Sequence, residues 1–237
     1  MLPERIDYHC HLLPGIDDGA RNLEEALAMA RLLAAAGFVS VHCTPHRIRG
    51  LYDTAPEMVR SRVAELQSEL TRGGIELQLR AGMEYYLDEY FPAALEDPLP
   101  LGDSRLLLVE APPNAHPLMV QENIFLAVRK GFVPLFAHPE RVSFLAPDEK
   151  RRGFLGLFKG QGFAAHSIAG NSRLETLRQQ GCRFQGNLGS FAGYYGRDVQ
   201  RRAKFFQQTG LYDCFGSDGH RPEPLTWILD KTKDLIF

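Results

Sequence analysis

Two histidines stand two residues apart near the start of the chain, in Asp7-Tyr8-His9-Cys10-His11. On an extended strand that spacing projects both imidazoles from one face, with Tyr8 and Cys10 on the other. The loop beyond, Leu12-Leu13-Pro14-Gly15-Ile16-Asp17-Asp18-Gly19, adds two carboxylates. Neutral imidazole nitrogens joined by one or two carboxylates suit a divalent first-row ion. A His-x-His pair is also readily satisfied by backbone at a strand end, so the weight falls on residues further along.

Those residues recur at one kind of position. The runs Ile6 to His11, Phe38 to Cys43, Ile75 to Arg80, Arg105 to Glu110, Phe132 to Ala137, Arg183 to Asn187 and Tyr212 to Gly216 read as seven strands. His9 and His11 close the first and His46 follows the second. Glu84 follows the third, Glu110 ends the fourth, His138 follows the fifth, and Asp218 with His220 follows the seventh. Helical periodicity fills most of the gaps: after the N-cap Asn22 as far as Gly37, then Pro56 to Thr71, Leu118 to Lys130, Ser172 to Gln180, Arg197 to Gln208 and Glu223 to Ile236.

Strands alternating with helices predict right-handed parallel βα units, in a chain of the size at which such units close into a barrel. The C-terminal ends of barrel strands are where loops assemble active sites, and every candidate ligand falls there. Five histidines and several carboxylates at one mouth exceed the three or four protein ligands of a single catalytic ion. Two or three metals with a bridging carboxylate are expected. Arg47, Arg49, Arg141 and Arg221 fall in the same rim loops and predict an anion-binding collar, because guanidinium matches phosphate bidentately. His42 falls inside the second strand and His116 and His166 lie away from strand ends, so all three read as core, cap or surface residues.

Composition narrows the class. The chain has 237 residues, 44% hydrophobic and 24% charged, which fits a single α/β domain over residues 1–237 with a full core. A Gly-, Phe- and Lys-rich stretch around 150–168 lacks clear period and predicts an insertion. A formal net charge of -2 excludes the basic field of a non-specific nucleic-acid binder. No leader-like segment and no membrane-length apolar run is seen, so a cytoplasmic location without membrane insertion is expected. Cys10, Cys43, Cys182 and Cys214 form no Cys-x-x-Cys pair and predict reduced, mostly buried thiols.

His9-Cys10-His11, Asp17-Asp18-Gly19, Thr44-Pro45-His46, Gly82-Met83-Glu84, His138-Pro139-Glu140-Arg141 and Ser217-Asp218-Gly219-His220, in that order, resemble the PHP (polymerase and histidinol phosphatase) family. More narrowly they resemble its bacterial manganese-dependent protein-tyrosine phosphatases associated with capsule and exopolysaccharide operons. Phe184-Gln185-Gly186-Asn187-Leu188-Gly189-Ser190 and Gly193-Tyr194-Tyr195-Gly196 fit that branch too. The resemblance implies a distorted (β/α)7 barrel of the PHP type holding three divalent ions, manganese by family, although iron or zinc would accept the same donors. It implies one ion on His9, His11, Glu84 and Asp218, a second on Glu84, Glu110 and His138, and a third on Asp18, His46 and His220, with Glu84 bridging. Asp17 competes with Asp18 for that role. Arg141, Arg47 and Arg221 would serve the phosphate, although Arg221 lies closer to His220 than the family's phosphate-binding arginine.

The implied reaction is hydrolysis of a phosphomonoester by water that the metals activate. The implied substrate is a phosphotyrosine protein, in particular a tyrosine autokinase of polysaccharide synthesis. Histidinol phosphate or another small phosphoester is the alternative within the family, and a non-catalytic metal-binding regulatory protein the alternative outside it. His42-Cys43-Thr44-Pro45-His46-Arg47-Ile48-Arg49 also matches the His-Cys-x5-Arg spacing of cysteine-dependent phosphatases. That match is read as accidental, because Pro45 lacks an amide hydrogen and no glycine lies between Cys43 and Arg49 to turn the amides inward.

Overall fold

A computed structural model describes residues 4–147 and 171–235. The expected insertion at 150–168 lies outside the described residues. In chain order the elements are β1 (Arg5–Cys10), α1 (Leu23–Ala35), β2 (Phe38–Cys43), β3 (His46–Arg47), α2 (Pro56–Arg72), β4 (Gln78–Ala81), β5 (Glu84–Tyr86) and α3 (Phe91–Ala94). They continue with β6 (Leu106–Glu110), α4 (Pro117–Arg129), β7 (Val133–Ala137), α5 (Ser172–Gln179), β8 (Arg183–Asn187), α6 (Leu188–Ala192), α7 (Arg197–Gln208), β9 (Cys214–Gly216) and α8 (Pro222–Thr232).

All strand pairs are parallel, in the orders β1-β2-β4 and β3-β5-β6-β7-β8-β9. The two sheets share courses. Only Thr44 and Pro45 separate β2 from β3, and only Gly82 and Met83 separate β4 from β5. Pro45 has no N–H to give a ladder and breaks the pairing there. Across the break Gly82 N donates to Cys43 O and Glu84 N to Pro45 O, each at 3.0 Å, so the paired courses stay side by side. Counted this way the described residues contain seven parallel courses. The ring closes where Asp218 N donates to His9 O (2.7 Å) and His11 N to Gly219 O (3.0 Å), with an isolated bridge Cys10↔Gly219 in place of a full ladder. The fold is a distorted (β/α)7 barrel.

The strands show why acids and imidazoles end up at one mouth. In β6 the outward residues Leu107 and Val109 join the large core under the helices, where α1 buries Ala26, Met29, Ala30 and Leu33. Leu108 instead packs with Leu101, Leu135 and Ala137 against Tyr8, Leu106 and Cys214, a plug drawn from β1, β6, β7 and β9 that fills the interior. Side chains two apart share a face. Glu110 is therefore the next inward residue after Leu106 and Leu108, above the apolar plug.

Candidate metal centre

β1 carries His9, and His11 follows directly after its end, both fully buried. His9 Nδ1 lies 3.0 Å from Gln185 Oε1, and His11 Nδ1 lies 2.7 Å from Asp17 Oδ2. Gln185 donates its own amide nitrogen to Gly186 O (2.5 Å), so its oxygen faces the ring. Both acceptors require a proton on Nδ1, which leaves Nε2 as the nitrogen of each ring that faces the centre. Those two nitrogens are 3.1 Å apart. Glu84 Oε2 lies 3.1 and 3.3 Å from them, and Asp218 Oδ1 lies 3.4 Å from each. Gly216 makes the approach feasible, since a Cβ there would stand 2.5 Å from His9 Cβ.

The cluster extends on both sides of Glu84. Its Oε1 is 3.2 Å from His138 Nε2, which lies 3.8 Å from Glu110 Oε2. His46 turns Nδ1 toward Glu84 Oε2 (3.1 Å) and Glu110 Oε1 (3.0 Å), while its Nε2 lies 3.5 Å from Asp18 Oδ1. His220 Nε2 lies 3.5 Å from the same Asp18 oxygen. Three groups have donor atoms within 4.8 Å of one another: His11, Asp18, His46 and His220; His9, His11 and Glu84; and His46, Glu84 and Glu110. Seven of the nine candidate ligands fall in these groups and His138 and Asp218 border them, while His11 and His46 each belong to two groups where the resemblance implies one.

The electrostatics call for positive charge at the centre. Burial alone would raise the Glu84 and Asp218 pKa values, yet the surrounding imidazoles, and Arg141 at Asp218, hold both well below the carboxylate range. Burial likewise opposes protonation of His11, but Asp17, Asp218 and Glu84 hold its pKa well above the ordinary value. Burial opposes protonation of His46 as well, but Glu84 and Glu110 together push its pKa up to about 10. Even so, His46 Nδ1, Glu84 Oε2 and Glu110 Oε1 are buried without a hydrogen-bond partner among the described residues. Unpaired buried polar atoms cost roughly 1–3 kcal/mol each, so three aimed at one point make a cradle that a divalent cation fits. The two non-glycine residues with positive φ among the described residues are His138 (φ 38) and Asp218 (φ 51). Strain of that kind persists only where the surroundings over-determine it. Here His138 N donates to Gln185 O and Asp218 N to His9 O.

Several residues take positioning roles that the sequence did not assign to them. Asp17 accepts from His11 Nδ1, from His46 N (3.0 Å) and from Gly19 N (2.9 Å), so its oxygens are occupied, whereas Asp18 faces the cluster. Asp7 is fully buried and accepts from His9 N and Ser217 N (3.1 and 2.8 Å), tying β1 to the turn after β9. Asp218 Oδ2 accepts from Arg141 Nη1 (2.8 Å), Asn187 Nδ2 (2.7 Å) and Tyr195 Oη (3.1 Å). Burial, then the Asp218 charge, pushes ionisation of Tyr195 far above the phenol range, so its hydroxyl remains a donor. The signal for Gln185 and Asn187 was available: both are polar residues on alternate positions of a strand buried from Phe184 to Asn187.

The arginines divide. Arg141 reaches the cluster through Asp218 and keeps 34% of its side chain exposed. Arg47 donates to Thr54 O (2.7 Å), and Arg49 stacks 4.5 Å over Tyr90; both line a cavity of ≈ 200 Å³ beside Tyr86. Arg221 Nη1 donates to the carbonyls of Asp18, Gly19 and His220, clamping two rim loops. His42 is buried and stacked on Tyr8 (5.4 Å), His116 caps α4 by accepting from Leu118 N (3.3 Å), and His166 lies outside the described residues. Cys43 is fully buried and its thiol is pushed far up by that burial, the opposite of an activated nucleophile.

A family model described as "Capsular polysaccharide synthesis, CpsB/CapC" matches residues 5–158. The chain belongs to this family. Its relatives include the tyrosine-protein phosphatase YwqE of Bacillus subtilis (strain 168), 28% identical over 217 residues, 91% of this chain and 77% of that protein. The tyrosine-protein phosphatase CpsB of Streptococcus pneumoniae is 23% identical over 238 residues, 98% of this chain and 89% of that protein. A solved structure reported for YwqE and CpsB, described as unique metal-dependent tyrosine phosphatases, superposes with a TM-score of 0.77 at 26% identity, covering 96% of this chain and 84% of that one. Histidinol phosphate phosphatase from Lactococcus lactis, solved with zinc, L-histidinol and phosphate, shares the fold of this CpsB/CapC chain at a TM-score of 0.54 and 15% identity, with 98% and 92% covered. Among the described residues no helix is long and apolar enough to cross a membrane.

Proposed function

We propose that this CpsB/CapC-family protein is a metal-dependent protein-tyrosine phosphatase, and that its substrate is a phosphotyrosine-bearing autokinase of polysaccharide synthesis. The observation that carries the reading is the cradle of unpaired His46, Glu84 and Glu110 atoms beside the His9–His11 pair, in a chain whose relatives are metal-dependent tyrosine phosphatases. Three ions are proposed, one on His9, His11, Glu84 and Asp218, a second on Glu84, Glu110 and His138, and a third on Asp18, His46 and His220; the close donor groups support these sets in part, with His46 rather than His138 grouped with Glu84 and Glu110. Manganese is the metal proposed. Bound divalent ions supply charge neutralisation for phosphoryl oxygens and lower the pKa of water from about 15.7 to about 7.

The chain's own residues do the rest. Asp17 and Gln185 fix the tautomers of His11 and His9, so each presents a lone pair rather than a proton. Arg141 commits Nη1 to Asp218, and the exposed remainder of its guanidinium is free to donate to a phosphoryl oxygen at the mouth. No side-chain nucleophile is needed, which agrees with the burial of Cys10 and Cys43. A tyrosyl leaving group, with a phenol pKa of about 10, departs without strong general-acid help. Arg47 and Arg49 stand further out, beside the cavity at Tyr86, where they would meet groups flanking the phosphate.

The test is a comparison of turnover by manganese-loaded protein on a phosphotyrosine peptide and on histidinol phosphate. Chelator-sensitive hydrolysis favouring the peptide is expected. Preference for histidinol phosphate would overturn the substrate assignment, and full metal loading with no turnover of either would leave a binding protein.

A further inference from the structure

Tyr195 touches two parts of the centre at once. Its hydroxyl donates to Asp218 Oδ2 (3.1 Å), and its ring face lies 4.3 Å beneath the Arg141 guanidinium. Asp218 Oδ2 already receives Arg141 Nη1 and Asn187 Nδ2 at 2.8 and 2.7 Å, so the tyrosine hydroxyl is the third and longest donor on an oxygen with two lone pairs. Asp218 therefore keeps two shorter donors on that oxygen without the tyrosine hydroxyl, whereas the Arg141 guanidinium has the Tyr195 ring under it.

The local backbone is built to hold that ring. After α6, Gly193 turns the chain with φ +91, and Gly196 adopts φ 92 and ψ 165, a conformation open essentially to glycine alone. Between them Tyr194 packs edge-on against Tyr195 at 5.1 Å and leans on Trp227 at 6.3 Å. Tyr195 is thus held against Tyr194 while Arg141 lies over its ring face. Arg141 needs such support, since its only hydrogen-bonded side-chain atom among the described residues is Nη1.

We propose that Tyr195 is a positioning residue: its ring holds the Arg141 guanidinium in the orientation that receives the phosphoryl group of the substrate. The inference rests on the phosphatase reading. It assigns the ring, rather than the hydroxyl, as the part that matters for the anion, and it assigns Tyr195 no contact with the reacting atoms.

The probe is inorganic phosphate, titrated calorimetrically into metal-loaded protein, with metal content measured for each variant. Tyr195→Leu removes ring and hydroxyl and should weaken phosphate binding roughly 10-fold, the scale of one partly buried cation–π contact, at full metal content. Tyr195→Phe keeps the ring face and should bind within about 2-fold of wild type. In an Arg141→Ala background, Tyr195→Leu should cost less than about 2-fold more, because the group it positions is gone.

Phosphate binding unchanged by Tyr195→Leu overturns the inference. So does Tyr195→Phe as weak as Tyr195→Leu, an undiminished 10-fold loss in the Arg141→Ala background, or loss of metal in Tyr195→Leu, which would place its effect on Asp218. Wild-type protein that takes up metal but binds no phosphate overturns the phosphatase reading together with the inference. Wild-type binding with an indifferent Tyr195→Leu overturns only the positioning role.

Discussion

At the scale of single residues, Glu84 is the side chain with most at stake. One carboxylate meets His9, His11 and His46 through Oε2 and His138 through Oε1, without solvent exposure. A terminal ligand can be lost with one ion, but a carboxylate placed between two groups of donors serves both. Glu84→Gln is expected to lower metal content by more than one ion per chain by elemental analysis, and a full complement would put Glu84 outside the centre. His42 carries a different prediction. Burial, then Arg80, depresses its pKa from the ordinary 6.5 to about 4. Between those values the unfolded chain binds a proton that the folded chain refuses, so His42 withdraws stability as pH falls from about 6.5 to about 4. Asp7, raised to about 6 by burial, acts with the opposite sign over nearly the same range, so the wild-type curve alone hides the effect. The unfolding free energy of wild type minus that of His42→Leu should fall by roughly 3 kcal/mol as pH drops through that window, at about 1.4 kcal/mol for each tenfold loss of proton affinity. A difference independent of pH would show that His42 is not held neutral.

At the scale of elements, caps separate decorative from structural ends. Asn22 caps α1 at an exposed site by accepting from Glu25 N (3.0 Å). Asn171 is buried, accepts from Arg173 N and Leu174 N at the start of α5, and donates Nδ2 to Phe144 O and Ala146 O. Asn22→Ala should cost about 1 kcal/mol in urea unfolding. Asn171→Ala should cost about 2–4 kcal/mol, because it removes the cap and also leaves carbonyls of the preceding turn unpaired. Equal costs would mean that the turn does not depend on Asn171. The same contrast explains what was legible in the sequence. Six helices and seven strand courses followed from periodicity and from Asn and Pro at helix starts. The splitting of two courses did not, because β3 and β5 span two and three residues, too short for any period to show. α3 and α6 escaped for the same reason, at four and five residues. Ligand candidates were legible because His and Glu at the ends of apolar strands stand out. The positioning roles of Asp17, Gln185 and Tyr195 were not, since they depend on which atom faces which neighbour across gaps of 6, 176 and 23 residues.

At the scale of the whole molecule, the centre is a cross-link. Its candidate ligands come from β1 and the loop after it, from β3, β5 and β6, and from the turns after β7 and β9, while β8 contributes the supporting Gln185 and Asn187. Between β9 and β1, where the ladder shrinks to a single bridge, Asp218 and His9 supply both the backbone closure and the facing donors. Cations bound there should therefore hold the ring together, and each ion at about 100 times its Kd adds about 2.7 kcal/mol to folding. Removing one ion should lower Tm by roughly 5–10 °C for a chain of this size. The size of the gap should depend on pH with a definite sign. In stripped protein His46 replaces lost positive charge with a proton, its pKa raised to about 10 by Glu84 and Glu110 together against the pull of burial. That contribution is fully present below about 6.5 and drains away as pH rises through about 10, because the folded chain then holds a proton the unfolded chain has released. In loaded protein the same imidazole must be deprotonated to ligate, and acid rather than base weakens it. The Tm difference between manganese-loaded and chelated protein should widen steadily from pH 6.5 to pH 9 in scanning calorimetry. A gap that stayed constant or narrowed over that range would mean that protons do not stand in for cations at His46, and that the ring is held by its backbone bridges alone.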